Sequence, residues 1–169
     1  MFTHFSIHAT YRVQKMNKSK SIEQKTGGWT APGEVALCRK VSGGDMAAGI
    51  LLHRIAVLWK LRKKKLERFG REWLAMSRAD WARSAGLSEA EMKDRALPRL
   101  KKACAGFLEV RPMRLTQDSP NILWISLDPE GMANAVMGDS SLPWDMYEMA
   151  LNGLGIYPKA VKYPYKAAI

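Results

Sequence analysis

The sequence predicts an α+β fold, mostly α with a small β-sheet, from three observations. Ser77-Arg-Ala-Asp-Trp-Ala-Arg-Ser-Ala-Gly-Leu-Ser88 holds two helix starts and a helix stop in close succession. Leu108 to Leu115 alternates apolar and polar residues, and Asn121 to Leu127 is rich in strand formers, with the turn cluster Gln117-Asp-Ser-Pro120 between them. After Asp45, apolar side chains fall in two adjacent rows at helical spacing, the stripe a helix buries in a globular domain.

Composition sets the bounds. A chain of 169 residues suits one domain with extensions, and an apolar content of 47% supplies its core. A net charge of +11 and a pI of 9.8 favour a polyanionic partner. Cys38 and Cys104 are too few and too far apart in sequence for a disulfide framework or a zinc motif, and read as two reduced thiols. No apolar run approaches the ~18 residues of a membrane span. Met1 to Lys15 lacks the apolar core and cleavage site of a signal peptide, so a cytoplasmic location is expected.

Residues 1–28 have little periodicity, and Asn17 to Lys25 is polar, which predicts a flexible leader with Met16 as an alternative start. Trp29-Thr-Ala-Pro-Gly33 reads as a turn or extended arm opening a domain over 29–127. Glu34 to Val41 is too short to decide between strand and helix. Gly43 and Gly44 break it, and Asp45 caps a long helix expected from Met46 to about Arg68. Its rows are Ala47, Leu51, Leu58 and Ile50, Val57, Leu61. Arg54 falls inside the stripe, its stem packed and its head reaching water or a carboxylate. Leu66 and Phe69 would anchor the exit and Gly70 end the helix. The cations from Lys60 to Arg68, with Arg71 beyond, exceed what the negative pole of the helix needs; they read as a solvated end or a phosphate-contacting edge.

Glu72 to Met76 is a short strand. Ser77 is an N-cap with Asp80 in the first turn, and Ala82 is small enough for a close helix crossing. Gly86 stops this helix, Leu87 plugs the gap, and Ser88 with Glu91 forms a capping box that opens a helix from Glu89 to about Ala103. Met92, Ala96, Leu100 and Ala103 should face the core. Pro98 removes the donor to the Asp94 carbonyl, a cost of about 3 kcal/mol in a regular helix, so the helix must kink or restart near Leu97. In the hairpin, Val110 and Leu115 should face the core, with Arg111 and Arg114 beside the turn. Residues 128–169 form a C-terminal extension. Asp128-Pro-Glu-Gly131 reads as a turn, Met132 to Met137 as one or two helical turns, and Leu142 to Asn152 as a helix capped by Ser141 with Gly153 past its end. The tail interleaves Tyr157, Tyr163 and Tyr165 with Lys159, Lys162 and Lys166. That pattern suits a docked tail, a peptide that binds another protein, or stacking on single strands.

Two capped helices joined by Ala-Gly-Leu-Ser make a helix-turn-helix signature, and a hairpin after it makes a winged helix. Over roughly Gly44 to Leu127 the chain resembles winged helix-turn-helix DNA-binding proteins of bacterial plasmids, phages and integrative elements. The resemblance rests on Leu51-Leu-His-Arg-Ile55, Ser77 to Ser88 and Gly106-Phe-Leu-Glu-Val110. Against such proteins the stretch Met92 to Leu100 is longer by one residue, and a bulge at Pro98 would absorb both departures. The resemblance implies double-stranded DNA binding, in transcriptional regulation or replication control, with the second helix in the major groove and the hairpin as a wing.

Phosphate contacts are expected from Lys63, Lys64, Lys65, Lys101, Lys102, Arg111 and Arg114. Lys93, Arg95 and the wing would read bases, and Arg78, Ser88, Arg99, Thr116 and Gln117 complete the expected surface. A homodimer would pair half-sites. The acidic start of the second helix, Glu89, Glu91 and Asp94, suits the helix pole and approaches phosphates poorly. It favours the alternative, a protein-interaction module that binds through this helix face or residues 142–169. No nucleophile motif, Gly-rich phosphate loop or metal-ligand spacing occurs, and His4, His8 and His53 are scattered. Neither catalysis nor a metal or cofactor is expected.

Overall fold

The structure, a computed structural model, describes residues 33–138 and 151–156. The leader, the arm before Gly33, most of the Leu142–Asn152 helix and the tail beyond Ile156 lie outside the described residues. The described part is mixed α+β, with a four-stranded antiparallel sheet of order β1-β2-β4-β3.

Glu34–Val41 is helical, α1, with Glu34 at its positive pole. Gly43 and Gly44, at φ 80° and 85°, turn the chain left-handed into α2 (Met46–Leu61). Asp45 caps α2, accepting from the Ala48 N–H at 2.9 Å. The two helices cross at Gly49, where a Cβ would lie 2.6 Å from Arg39 Cα, so only glycine permits the approach. The buried face of α2 is Ala47, Ala48, Leu51, Leu52, Ile55 and Ala56. Burying each large member of this set contributes roughly 1.5–3 kcal/mol. The second expected row does not form the core: Ile50 and Val57 are half-buried and Leu61 is exposed. Arg54 is half-buried with its Nε shielded from solvent and no hydrogen-bond partner among the described residues.

The expected helix to Arg68 stops at Leu61 instead. Arg62, Lys63, Lys64 and Lys65 would crowd like charges on further turns, and the residues after them have a better use. Leu66–Arg68 is a strand, β1, paired with β2 (Arg71–Met76). Phe69 and Gly70, at φ 55° and 70°, are the two central residues of that hairpin turn, both left-handed as a type I′ turn requires. Gly70 therefore closes a hairpin rather than a helix. Phenylalanine is poorly suited to positive φ, and Asn-Gly is the favoured pair. Phe69→Asn is expected to stabilise the fold by about 1 kcal/mol, a Tm rise of roughly 3 °C measurable by thermal unfolding.

Ser77 caps α3 (Arg78–Ala85), its hydroxyl accepting from the Asp80 N–H at 3.1 Å. Gly86, at φ 69°, ends it, with Leu87 N–H returning to the Ala82 carbonyl at 2.9 Å. Trp81 is fully buried and donates to the Leu123 carbonyl, tying α3 to β4 (Asn121–Leu127). Ser88 and Glu91 then form the reciprocal capping box. Glu89–Glu91, Met92–Ala96 and Leu97–Ala103 run on as one helix, α4, whose middle segment is a π turn. There the Leu97 N–H reaches the Met92 carbonyl, one residue farther than in an α-helix. The extra residue is absorbed just ahead of Pro98. The ring thus falls in the first turn of the following α segment, where a missing donor costs little. The bulge also rotates the rest of the helix. Leu97, Leu100 and Cys104 face the core with Met92 and Ala96, and Ala103, expected inside, is exposed.

β3 (Leu108–Arg114) pairs with β4 along its whole length, Leu108 opposite Leu127 and Arg114 opposite Asn121. Leu74, Leu108, Leu123, Ile125 and Leu127 line the sheet face that meets the helices, with Val110 half-buried against them. Leu115, expected inside, lies past the end of β3 and is exposed. The other sheet face carries Trp73 and Trp124, both buried outside the main core. Their indole N–H groups donate to the carbonyls of Arg68 and Met113, at 2.8 and 3.2 Å.

Asp128 is the N-cap of α5 (Pro129–Met137), so the expected turn is the first turn of this helix, with Pro129 where proline is best tolerated. Met132, Ala133 and Val136 join the common core, as do Leu151, Leu154 and Ile156. Residues 151–153 are helical, and Gly155 at φ 70°, not Gly153, provides the stop. Ile156 N–H closes back on the Leu151 carbonyl at 2.8 Å. Lys60 Nζ donates to the Gly153 carbonyl at 3.0 Å, fastening this segment to α2. No single helix among the described residues is long and apolar enough to cross a membrane.

Candidate nucleic-acid interface

The α3–turn–α4 unit holds one face of α4 in the core, which leaves the other outward. Lys93, Asp94, Arg95, Pro98, Arg99, Lys101 and Lys102 are all exposed. Asp45 organises one flank of this surface. Its carboxylate is 1% exposed, and besides capping α2 it receives Arg95 Nε at 2.7 Å and Arg99 Nη1 at 3.2 Å. The Ala48 backbone N–H first, then Arg95 and Arg99, hold its pKa below the ordinary carboxylate value against the opposing effect of burial. One anion between two guanidiniums leaves a net positive charge there and limits where both heads can point. The bases-first reading of Arg95 meets this constraint, because its Nε is already engaged.

The start of α4 is occupied by its own cap. Ser88 N–H donates to Glu91 Oε2 at 2.9 Å, and Ser88 Oγ accepts from the Glu91 N–H at 3.1 Å. These bonds hold the Glu91 carboxyl below its usual range, the backbone donor contributing most. Arg78 is exposed at the start of α3.

The remaining expected residues lie in the α2–β1 segment and on the β3–β4 hairpin. Lys63 and Lys64 are exposed in the segment joining α2 to β1, and Lys65 Nζ lies 4.8 Å over the Trp59 ring. At the β3–β4 end, Arg114 Nη1 donates to the Gln117 carbonyl at 3.1 Å, and Thr116 N–H donates to Ser119 Oγ at 2.8 Å. Arg114 and Gln117 thus stand together beside the turn. Arg111 does not join them. It pairs with Trp124 in register, on the sheet face away from the helices. There it lies within 5.6 Å of the Phe69 ring and 5.9 Å of the Trp73 ring, bonded to Glu109. The structure therefore divides the expected surface among the α3 start and outer side of α4, the α2–β1 segment, the turn of the β3–β4 hairpin, and the far face of the sheet.

Three residues that the sequence assigned to the end of α2 and just beyond it stand on that far face instead. Arg68 stacks on Trp124 at 4.3 Å and donates to the Arg114 and Leu115 carbonyls, bracing the base of the hairpin turn. Arg71 shares Glu109 with Arg111. Phe69 stands exposed at the β1–β2 turn. The local signal was Gly70 alone, which reads equally as a helix stop, and the apolar spacing of Leu66 and Phe69 continues the helical period.

Cys38 and Cys104 are buried free thiols. Burial pushes Cys38 up to about 12 and Cys104 to about 11, so neither is a thiolate at neutral pH. His53 bonds Glu34 at 3.0 Å, a structural contact between α2 and α1. Compared with known proteins, the chain matches no family model, no curated protein sequence and no solved structure.

Proposed function

We propose that this chain is a winged-helix protein that binds double-stranded DNA, with transcriptional regulation or replication control on a bacterial mobile element as its setting. The observation that carries the reading is the order β2-α3-α4-β3-β4: a tightly capped helix pair, then a hairpin on an antiparallel sheet, with the outer side of α4 open and bearing Lys93, Lys101 and Lys102. The net charge of +11 suits the phosphate backbone. Lys101, Lys102, Arg78 and Arg114 serve as phosphate contacts; Lys93, which Asp45 does not hold, serves as the base contact. Two copies on a two-fold site would supply half-sites, as dimeric readers do.

Selection of bound duplexes from a random pool tests this. An enriched motif supports sequence reading and reports symmetry, whereas a pool that yields no retained duplex overturns the proposal. Within it, Arg114→Ala is expected to weaken binding evenly across sequences and reduce the log–log salt slope by about 1. Arg111→Ala, on the far sheet face, is expected to leave the affinity for blunt duplex within about twofold. An equal loss in both variants would mean that the duplex meets both sheet faces, against this assignment.

The acidic start of α4 favours a second reading. Glu89, Glu91 and Asp94 are exposed there, and a protein partner with a basic surface would meet them better than a phosphate does.

A further inference from the structure

We propose that the β1–β2 turn is a base-stacking site, at which Phe69 receives an unpaired nucleobase of a single-stranded nucleic acid. Phe69 is 69% exposed and adopts φ 55°. An apolar ring in water and a bulky residue in the left-handed region both count against local stability, and strain of this kind concentrates at functional positions.

The surroundings specify the ligand. The Arg111 guanidinium backs the Phe69 ring at 5.6 Å and the Trp73 ring at 5.9 Å, so aromatic, cation and aromatic succeed one another across the sheet face. A base on the open side of Phe69 would continue that succession, and every base has the flat π face this requires. Because the ring lies against Arg111, it offers a face and not a projecting wedge. That favours an unpaired base over insertion between stacked pairs, which would first have to be pulled apart.

Charge complements the strand that carries the base. Three cations, Arg68, Arg71 and Arg111, stand on this sheet face. Glu109 is one anion shared by Arg71 and Arg111. The site lies on the sheet face away from the helices, so a strand there would leave α4 free. Joint use with a duplex rests on the proposed function, but the stacking site itself does not.

The test compares a blunt duplex, the same duplex with an oligothymidine tail, and the tail alone, by fluorescence anisotropy. Wild-type protein is expected to bind the tailed duplex more tightly than the blunt one. Phe69→Asn, which suits the turn and so should fold at least as well, is expected to lose that advantage, a change of roughly tenfold. Its affinity for blunt duplex should stay at the wild-type value, and Phe69→Trp should keep the tail preference. A Phe69→Asn protein that still prefers the tail overturns the proposal. So does an equal loss on blunt and tailed DNA, which would put the ring in the duplex. Phe69-dependent binding of the tail without any duplex affinity would overturn the duplex-binding function and leave the stacking site standing.

Discussion

Asp45→Ala is expected to destabilise the fold by about 3 kcal/mol, because one buried carboxylate serves three partners. The substitution removes an N-cap, worth about 1 kcal/mol. It also removes charge-assisted bonds, each contributing about 1.5–3 kcal/mol when the group is buried. Arg95 and Arg99, both 57% exposed at the side chain, recover water in part, which is why these contributions do not simply add. Asp45→Asn separates the parts. Asparagine caps a helix about as well as aspartate, so that variant should lose only about 1 kcal/mol, and α4 gains a positive charge. DNA affinity would then rise while stability falls, a sign pattern that a purely structural aspartate would not give. The pH dependence follows from the direction of the shift. The folded pKa of Asp45 lies below its ordinary value of 3.8, so its contribution is complete above that value and disappears as pH falls through the folded pKa. The stability gap between wild type and Asp45→Asn, measured by urea unfolding, should be constant near neutrality and narrow below about pH 4. A gap unchanged at acid pH would show that the carboxylate charge is not what stabilises this junction.

The elements legible in the sequence are those settled by neighbours a few residues away. The Ser77 cap, the Gly86 stop and the Ser88–Glu91 box depend only on side chains reaching their own backbone, and all three are present. Pro98 and the additional residue ahead of it likewise announced a bulge, and the π turn at Met92–Ala96 supplies it. What is not legible there depends on distant chain. Leu66 and Phe69 continue the helical period of α2, so nothing local marks β1; its existence rests on β2 pairing back to it across Phe69-Gly70. Ala103 fell on the wrong side because a π turn changes the rotation of everything after it. Alternation places Arg111 and Arg114 on opposite sheet faces, yet only the packed structure tells which face the helices cover. The candidate surface was therefore readable as a set of cations, but not in its division between the α4 side and the far face of the sheet.

Raising the salt concentration is expected to have the largest effect of any single change. Among the described residues, Lys63, Lys64, Arg78, Lys93, Lys101 and Lys102 are exposed and make no ion pair, and Arg114 lends its charge to the hairpin turn. If about six of these neutralise phosphates, the slope of log affinity against log salt is about −5, and binding to random-sequence duplex weakens roughly a thousandfold between about 50 and 200 mM salt. Reversing Lys101 and Lys102 to glutamate should flatten that slope by about 2, since two counterions are no longer released. A protein-interaction module acting through the acidic start of α4 gives the opposite result. On that reading the cations do not converge on one duplex, so duplex DNA would bind weakly at every salt concentration. The same glutamates on α4 would then leave the partner's affinity within a fewfold of wild type. The salt slope thus measures how many cations of this surface meet phosphate at once. A slope near zero would mean that the cations of α4 and of the hairpins never act together on one duplex.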